Sequence, residues 1–161
     1  MVYSPFDLVK LAKKEKNKHF VFAAVGFETI APVYALLVQQ LSAENIRNAA
    51  LFTAIKRIAP ALTVLASRGV DGFIAPGHVA AVTGAGMFRP LAKRFHRPFC
   101  IAGFTPRAVV GAICDLIDQI ENGTYEVHNL YPSVVSERGN EKALAIMNQV
   151  FSTGDAAWRC V

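Results

Sequence analysis

Short apolar runs alternate along the chain with longer segments in which apolar residues recur every three or four positions. The first run, residues 19–25, is almost wholly apolar and ends at Gly26, as in a strand that is buried on both faces. Three similar runs follow it. The pattern therefore predicts four strands, at residues 20–25, 50–55, 72–75 and 99–102.

The intervening segments have helical periodicity. Ser4 is a candidate N-cap and Pro5 a first helical residue. Strands and helices alternating at this spacing predict an α/β fold: a three-layer, open, mainly parallel four-stranded sheet with helices on both faces. The length of 161 residues fits one domain over residues 1–161. Residues 125–135 are expected to be extended at the domain edge. The expected core residues are Phe22, Val25, Phe52, Phe73, Ile74 and Ile101.

Composition and charge exclude several classes of protein. With 53% hydrophobic and 18% charged residues, global disorder is excluded. Every apolar run is too short for a membrane span, so we expect no membrane. The net charge of +5 is concentrated in a lysine-rich run at residues 10–18 that lacks interleaved aromatic residues. Such a run is typical of a solvated helix end and argues against nucleic acid as a partner.

The cysteines favour neither a disulfide framework nor a zinc site. Cys100, Cys114 and Cys160 are widely spaced and form no Cys-x-x-Cys pair. Cys100 and Cys114 lie among apolar residues and are interpreted as small core residues. The N-terminus lacks the pattern of a signal peptide, so the cytoplasm is the expected compartment.

Candidate chemistry lies where the predicted strands end, because open parallel sheets bind ligands beyond the carboxyl ends of their strands. Glycines there allow sharp turns. Each polar residue also has a structural interpretation: Glu28 could favour a helix N-terminus, and His78 could be an ordinary turn residue. Nucleotide and hydrolase fingerprints are absent, and Gly84-Ala85-Gly86 alone is a weak signal. The residues predicted to line the cleft are Gly26, Phe27, Glu28, Thr29, Pro76, Gly77, His78, Gly103 and Thr105.

Two long motifs and several short ones occur in a fixed order. The long ones are Gly26-Phe27-Glu28-Thr29-Ile30-Ala31-Pro32 and Asp71-Gly72-Phe73-Ile74-Ala75-Pro76-Gly77-His78-Val79. The short ones are Ala102-Gly103-Phe104, Asn129-Leu130-Tyr131, Gly139-Asn140 and Trp158-Arg159. In these motifs and their order, the chain resembles the HypD family of hydrogenase maturation proteins over nearly its whole length.

The resemblance implies a scaffold that, with a small partner protein, holds the iron that receives cyanide and carbon monoxide for NiFe hydrogenase. It covers the family's middle α/β domain, so we expect this chain to lack the N-terminal iron-site domain and the C-terminal iron–sulfur domain. None of the three cysteines matches the family's ligands, and we expect no metal and no cofactor. Two departures remove polar groups from the cleft: Ile30 replaces a threonine, and Thr105-Pro106-Arg107 replaces acidic residues.

Two functions remain open from the sequence. The first is a stand-alone HypD-like module, more a binding protein than an enzyme, that contacts hydrogenase maturation proteins or a small ligand. The alternative is a small enzyme acting on a phosphorylated or carboxylated metabolite at the Glu28, Thr29 and His78 cleft. We also expect a homodimer, because the low charged fraction suggests an apolar patch that a second copy would cover.

Overall fold

A computed structural model describes residues 2–157 of the chain. Within them, seven α-helices and five strands alternate, with a short 3₁₀ helix at Ala85–Phe88. The strands are β1 (Phe20–Gly26), β2 (Ala49–Ile55), β3 (Phe73–Pro76), β4 (Phe99–Ala102) and β5 (Val127–Asn129). The helices are α1 (Asp7–Lys14), α2 (Ala31–Ala43), α3 (Ile58–Ala66), α4 (Gly77–Thr83), α5 (Arg89–Phe95), α6 (Pro106–Glu121) and α7 (Glu141–Val150). In this part of the chain, no helix combines the length and the apolar character needed to cross a membrane.

The chain divides into two compact units, and the first contains residues 2–56 and 142–154. In this unit β1 and β2 pair in parallel, from Phe20 beside Ala49 to Gly26 beside Ile55. Helices α1 and α2 bury Leu8, Val9, Leu37 and Leu41 against one face of this pair. The Asn48 side chain, just before β2, donates hydrogen bonds to the carbonyl oxygens of Ala12, Glu15 and Lys18.

The second unit, residues 57–141 and 155–157, is built on a three-stranded parallel sheet in the order β3-β4-β5. Its larger core lies on one face, where α3, the 3₁₀ helix and α5 pack on the aromatic rings of Phe73 and Phe99. These two rings stack with centroids 4.7 Å apart. On the opposite face, α6 covers Cys100 and Ala102 with Ala112 and Leu116. Helices thus lie on both faces of this sheet.

The α/β class and the parallel pairing are confirmed, and the four predicted strands form within one residue of their expected ends. The single four-stranded sheet was wrong: the described strands form a two-stranded and a three-stranded sheet. Apolar runs identify strands but not their neighbours, since the pairing depends on backbone hydrogen bonds that side-chain patterns do not specify. The irregular segment at residues 125–135 supplies the fifth strand, β5, beside β4. The single domain over residues 1–161 stays a prediction.

Half of the expected core is confirmed. Phe73 and Ile101 are buried, and Phe22 is half-buried against the α1–α2 cluster. The prediction was wrong for Val25, Phe52 and Ile74, whose exposed fractions are 59%, 66% and 43%. The runs that contain Val25 and Phe52 are apolar on both faces, but α1 and α2 pack on only one face of β1 and β2, and these two residues belong to the other. Ile74 lies on β3, at the edge of the three-stranded sheet, whereas α6 covers the same face over β4.

The Gly84-Ala85-Gly86 turn has a structural role. Gly84 and Gly139 have positive φ angles of 86° and 69°. A Cβ on Gly84 would meet the backbone carbonyl of Glu137, and one on Gly139 would meet that of Val82. The backbone segments around Gly84 and Gly139 therefore pass so close together that neither position has room for a side chain. The bidentate pairing of Arg89 with Glu137, at 2.6 and 3.0 Å, fastens the same crossing.

The burial difference between two isoleucines of the β3-β4-β5 sheet makes a stability prediction. Ile101→Ala removes a side chain that is 0% exposed and should lower the free energy of unfolding by about 2–5 kcal/mol. Ile74→Ala, on the neighbouring strand, should cost less than half as much. Urea denaturation followed by circular dichroism measures both. Equal losses would contradict the burial assigned to these two positions.

Candidate functional site

Two of the predicted turns lie at the same edge of the three-stranded sheet. Strands β3 and β4 are parallel and in register, with Pro76 beside Ala102. The chain then continues into Gly77-His78 from β3 and into Gly103 from β4. Because the strands point the same way, both turns emerge at the carboxyl edge, where open α/β sheets bind ligands.

The Tyr131 ring lies beside both of these glycine turns. A Cβ on Gly77 would lie 3.1 Å from Tyr131 Cδ1 and 2.6 Å from the carbonyl oxygen of Ala102. A Cβ on Gly103 would lie 3.6 Å from the same ring. Asn129 fixes the approach of the ring, because its Oδ1 accepts a hydrogen bond from the Tyr131 backbone N–H at 2.9 Å. Gly77 leaves room for the ring and for the close passage of the α4 N-terminus over β4, whereas a Cβ on Gly103 would make only an ordinary contact with the ring.

An exposed pair of rings completes this edge. The His78 ring and the Phe104 ring lie 4.4 Å apart between centroids, tilted by 43°. Both side chains are exposed, Phe104 by 65%. Thr105 caps α6 by accepting a hydrogen bond from the Ala108 backbone N–H at 3.2 Å. We name His78, Phe104 and Tyr131, with Gly77 and Gly103, the aromatic edge.

The remaining predicted site residues belong to the first unit. Gly26 has a φ of 140°, and its missing side chain leaves space that Ile30 fills. Glu28 is buried just before α2, and Thr29 is half-buried. Gly26, Phe27, Glu28 and Thr29 thus form one turn in one unit, whereas Pro76, Gly77, His78, Gly103 and Thr105 lie in the other. A single cleft lined by both groups stays a prediction.

The structure also contains a partly buried polar cluster that the sequence analysis missed. The Cys100 thiol on β4 is hydrogen-bonded to the Asp115 carboxylate on α6. Asp115 Oδ1 lies 2.6 Å from His128 Nδ1, on the strand next to Cys100, and Oδ2 accepts a hydrogen bond from Gln119 at 3.0 Å. Gln119 is almost fully buried, and its Oε1 accepts the Glu126 backbone N–H at 2.9 Å. The cluster ties α6 to β4 and β5.

The cluster shifts the pKa values of three groups. Burial, with the nearby Asp115 charge, raises the pKa of the Cys100 thiol to about 12. The hydrogen bond to Asp115 raises the pKa of His128 above its usual value. Burial alone would raise the pKa of Asp115, but hydrogen bonds from His128 and Gln119 outweigh it and hold that pKa below its usual value.

These shifts show which chemistry the cluster supports. A cysteine nucleophile needs a lowered thiol pKa and access to its substrate, and Cys100 has neither. Its thiol donates to a carboxylate rather than to a histidine base, so the cluster stabilises packing. One signal was available in the sequence: Asp115 and Gln119 are one helical turn apart beside apolar positions. The pairing of Cys100 with His128 depends on strand register, which the sequence does not specify.

Metal ligands do not gather in the described structure. Within residues 2–157, no three His, Cys, Asp or Glu side chains are placed to hold a metal ion. Cys160 lies outside the described residues, and Cys114, expected in the core, is exposed on α6. That prediction for Cys114 was wrong, because it lies on the outer side of the helix. The expectation of no bound iron or cluster stays a prediction.

Comparison with known proteins identifies the family. A family model described as HypD, "Hydrogenase formation hypA family", matches residues 1–161. The chain belongs to the HypD family. Three of the motifs that carry the resemblance meet at the aromatic edge. They are Pro76-Gly77-His78, Ala102-Gly103-Phe104 and Asn129-Leu130-Tyr131.

Individual HypD-family proteins match almost the whole chain. The hydrogenase maturation factors HypD of Escherichia coli and of Rhizobium leguminosarum are each 36% identical to it over 99% of its length. A protein of Methanocaldococcus jannaschii, named for hydrogenase expression and formation, is 37% identical over 161 residues. The match covers 44–45% of each of these relatives. The chain therefore spans less than half the length of the relatives it matches.

The His128–Asp115 pair predicts a pH-dependent contribution to stability. A raised histidine pKa contributes stability fully below its unfolded value of about 6.5 and loses it as the pH rises through the folded pKa. A lowered Asp115 pKa contributes above its unfolded value of about 3.9 and loses it on acidification. We expect His128→Gln to lower the urea midpoint more at pH 5.5 than at pH 8.5. His19→Gln, at an exposed position, is the control. A His128→Gln effect that is equal at both pH values would contradict the pairing.

Proposed function

We propose that this HypD-family chain is a binding module of hydrogenase maturation and that the aromatic edge is its contact surface. The observation that supports this most is the meeting of three family motifs around the Tyr131 ring. A side chain at Gly77 would crowd that ring and clash with the Ala102 carbonyl oxygen, and Gly103 lies beside the same ring at ordinary contact distance. The motif residues therefore build one surface, in addition to satisfying three separate turns.

The chemistry of the edge suits recognition. Exposed aromatic rings bury large apolar areas on binding, and a histidine adds a hydrogen-bonding group. His78 and Phe104 are already packed against each other, so little side-chain freedom is lost when a partner covers them. This favours a partner protein with an apolar contact residue, or a small ligand with a flat face, over a highly charged ligand.

Catalysis is the second candidate and has less support. An enzyme acting on a phosphorylated or carboxylated metabolite would need Glu28, Thr29 and His78 on one rim, and that arrangement is itself a prediction. Its supporting observation is the burial of the Glu28 carboxylate beside the start of α2. The buried Cys100 thiol gives it no nucleophile.

The names of the relatives indicate the process in which the module acts. The proteins of E. coli and R. leguminosarum are named hydrogenase maturation factors. We propose that this chain contacts other hydrogenase maturation proteins in the cytoplasm, without a metal or cofactor of its own. The first partner to test is the small protein that the family resemblance implies, taken from the same genome.

The binding proposal predicts the effect of two substitutions. His78→Ala and Phe104→Ala each remove one ring of the exposed pair and should weaken binding of the small maturation protein by about tenfold or more, as at an interface hot spot. The affinity is measured by titration calorimetry with the full chain. Urea denaturation of each variant checks that the fold is kept.

Matched controls separate this surface from a general effect. His19→Ala removes an exposed histidine of the first unit and should leave the affinity unchanged. Loss of binding in His19→Ala, or full binding in both aromatic-edge variants, would overturn the assignment. If the unsubstituted chain does not bind the small maturation protein, the proposed identity of the partner is wrong.

A further inference from the structure

Helix α6 carries a second apolar stripe besides the one that packs on its own sheet. The side of α6 that packs on the sheet is buried and consists of the apolar Ala112 and Leu116 with the polar Gln119. The second stripe lies about a third of a turn around the helix, since each residue advances about 100°. It consists of Val110, Ile113, Ile117 and Ile120, which are 42% to 58% exposed. Four neighbouring β-branched side chains on one exposed helix face are more than the scattered apolar residues that a normal surface carries.

The spacing of this outer stripe is that of a coiled-coil seam. The steps from Val110 to Ile113, Ile117 and Ile120 are three, four and three residues, so the four occupy successive a and d positions of a heptad. A seam of this kind fits another helix with the same spacing. The outer stripe is thus shaped for a helical partner rather than for a small ligand.

The charges beside the outer stripe identify that partner. Arg107 and Glu121 occupy the first and last e positions, and Cys114 occupies the e position midway between them. All three side chains are exposed. Arg107 lies near the helix N-terminus and Glu121 at its C-terminus, the opposite of what the helix dipole favours. Their placement is therefore better explained by a partner than by the stability of α6 itself.

We propose that α6 pairs with α6 of a second copy of this chain, antiparallel and about a two-fold axis. Val110 of one copy then packs with Ile120 of the other, and Ile113 with Ile117. Antiparallel pairing also brings e positions of the two helices together, so Arg107 of each copy faces Glu121 of the other. The same symmetry places the two Cys114 side chains near the axis.

The parallel arrangement lacks this complementarity. In a parallel pair, e positions face g positions, and the g positions here are Val109, Leu116 and Gly123. Arg107 and Glu121 would have no opposite charge to meet. The charge pattern therefore selects the antiparallel pair, whose isologous contact is the commonest form of homodimer.

The outer stripe of α6 is thus the interface of the homodimer that the low charged fraction led us to expect. It is separate from the aromatic edge. The seam has only two heptads, so we expect a concentration-dependent dimer. Pairing is helped because α6 is already folded on its own sheet and pays no helix-forming cost on association.

A charge swap tests the proposal through dimer mass, measured by sedimentation velocity over a dilution series. Arg107→Glu and Glu121→Arg should each weaken the dimer by roughly tenfold, because each puts like charges together twice across the axis. Both substitutions suit the helix dipole, so neither should unfold α6. The double variant should restore the dimer.

Substitution of the seam itself and a crosslink complete the test. Ile117→Lys should give a monomer, whereas Val64→Lys, on the exposed side of α3, should keep the dimer. In a Cys160→Ser background, a short bis-maleimide should link two chains through Cys114, and Cys114→Ser should abolish the link.

The outcomes separate two questions: whether the chain forms a dimer, and whether α6 is the interface of that dimer. A monomer at every concentration would overturn the homodimer itself. A dimer that survives Ile117→Lys, or single charge variants that are not rescued by the double swap, would overturn α6 as the interface and leave the homodimer standing. Neither result bears on partner binding at the aromatic edge.

Discussion

Burial of β4 on both faces is the constraint on which the second unit depends. Its four residues, from Phe99 to Ala102, are between 0% and 3% exposed. A strand in this position must pair on both edges, since unpaired backbone groups away from water are costly. β3 and β5 supply these partners. Side chains on alternate faces of β4 then hold α5 and the 3₁₀ helix on one side and α6 on the other.

The positions of the functional residues follow from this strand. Parallel pairing with β3 brings the Gly77 and Gly103 turns to one edge, and the segment after β5 carries Tyr131 to the same edge. Pairing with β5 also places His128 beside Cys100, so that Asp115 on α6 can bind both. The aromatic edge and the partly buried polar cluster are thus two consequences of one central strand.

The sequence predicted the parts of the fold that depend on local pattern. It gave the four strands with their parallel direction, because apolar runs and turn residues are local signals. It could not separate the two sheets, and it placed Val25 and Phe52 in a core because an apolar run does not show which face a helix will cover. His78 and Gly103 were found through their turns, whereas Phe104 and Tyr131, which complete the aromatic edge, depend on contacts distant in the chain.

The central claim is that the aromatic edge is the surface that binds a maturation partner. The most direct measurement is an amide chemical-shift map of the ¹⁵N-labelled full chain, titrated with the small maturation protein from the same genome. We predict that the largest shifts fall at Gly77, His78, Gly103, Phe104 and Tyr131, the residues that meet at the carboxyl edge of β3 and β4. Shifts confined to other regions, with these five amides unchanged at saturation, would contradict the claim.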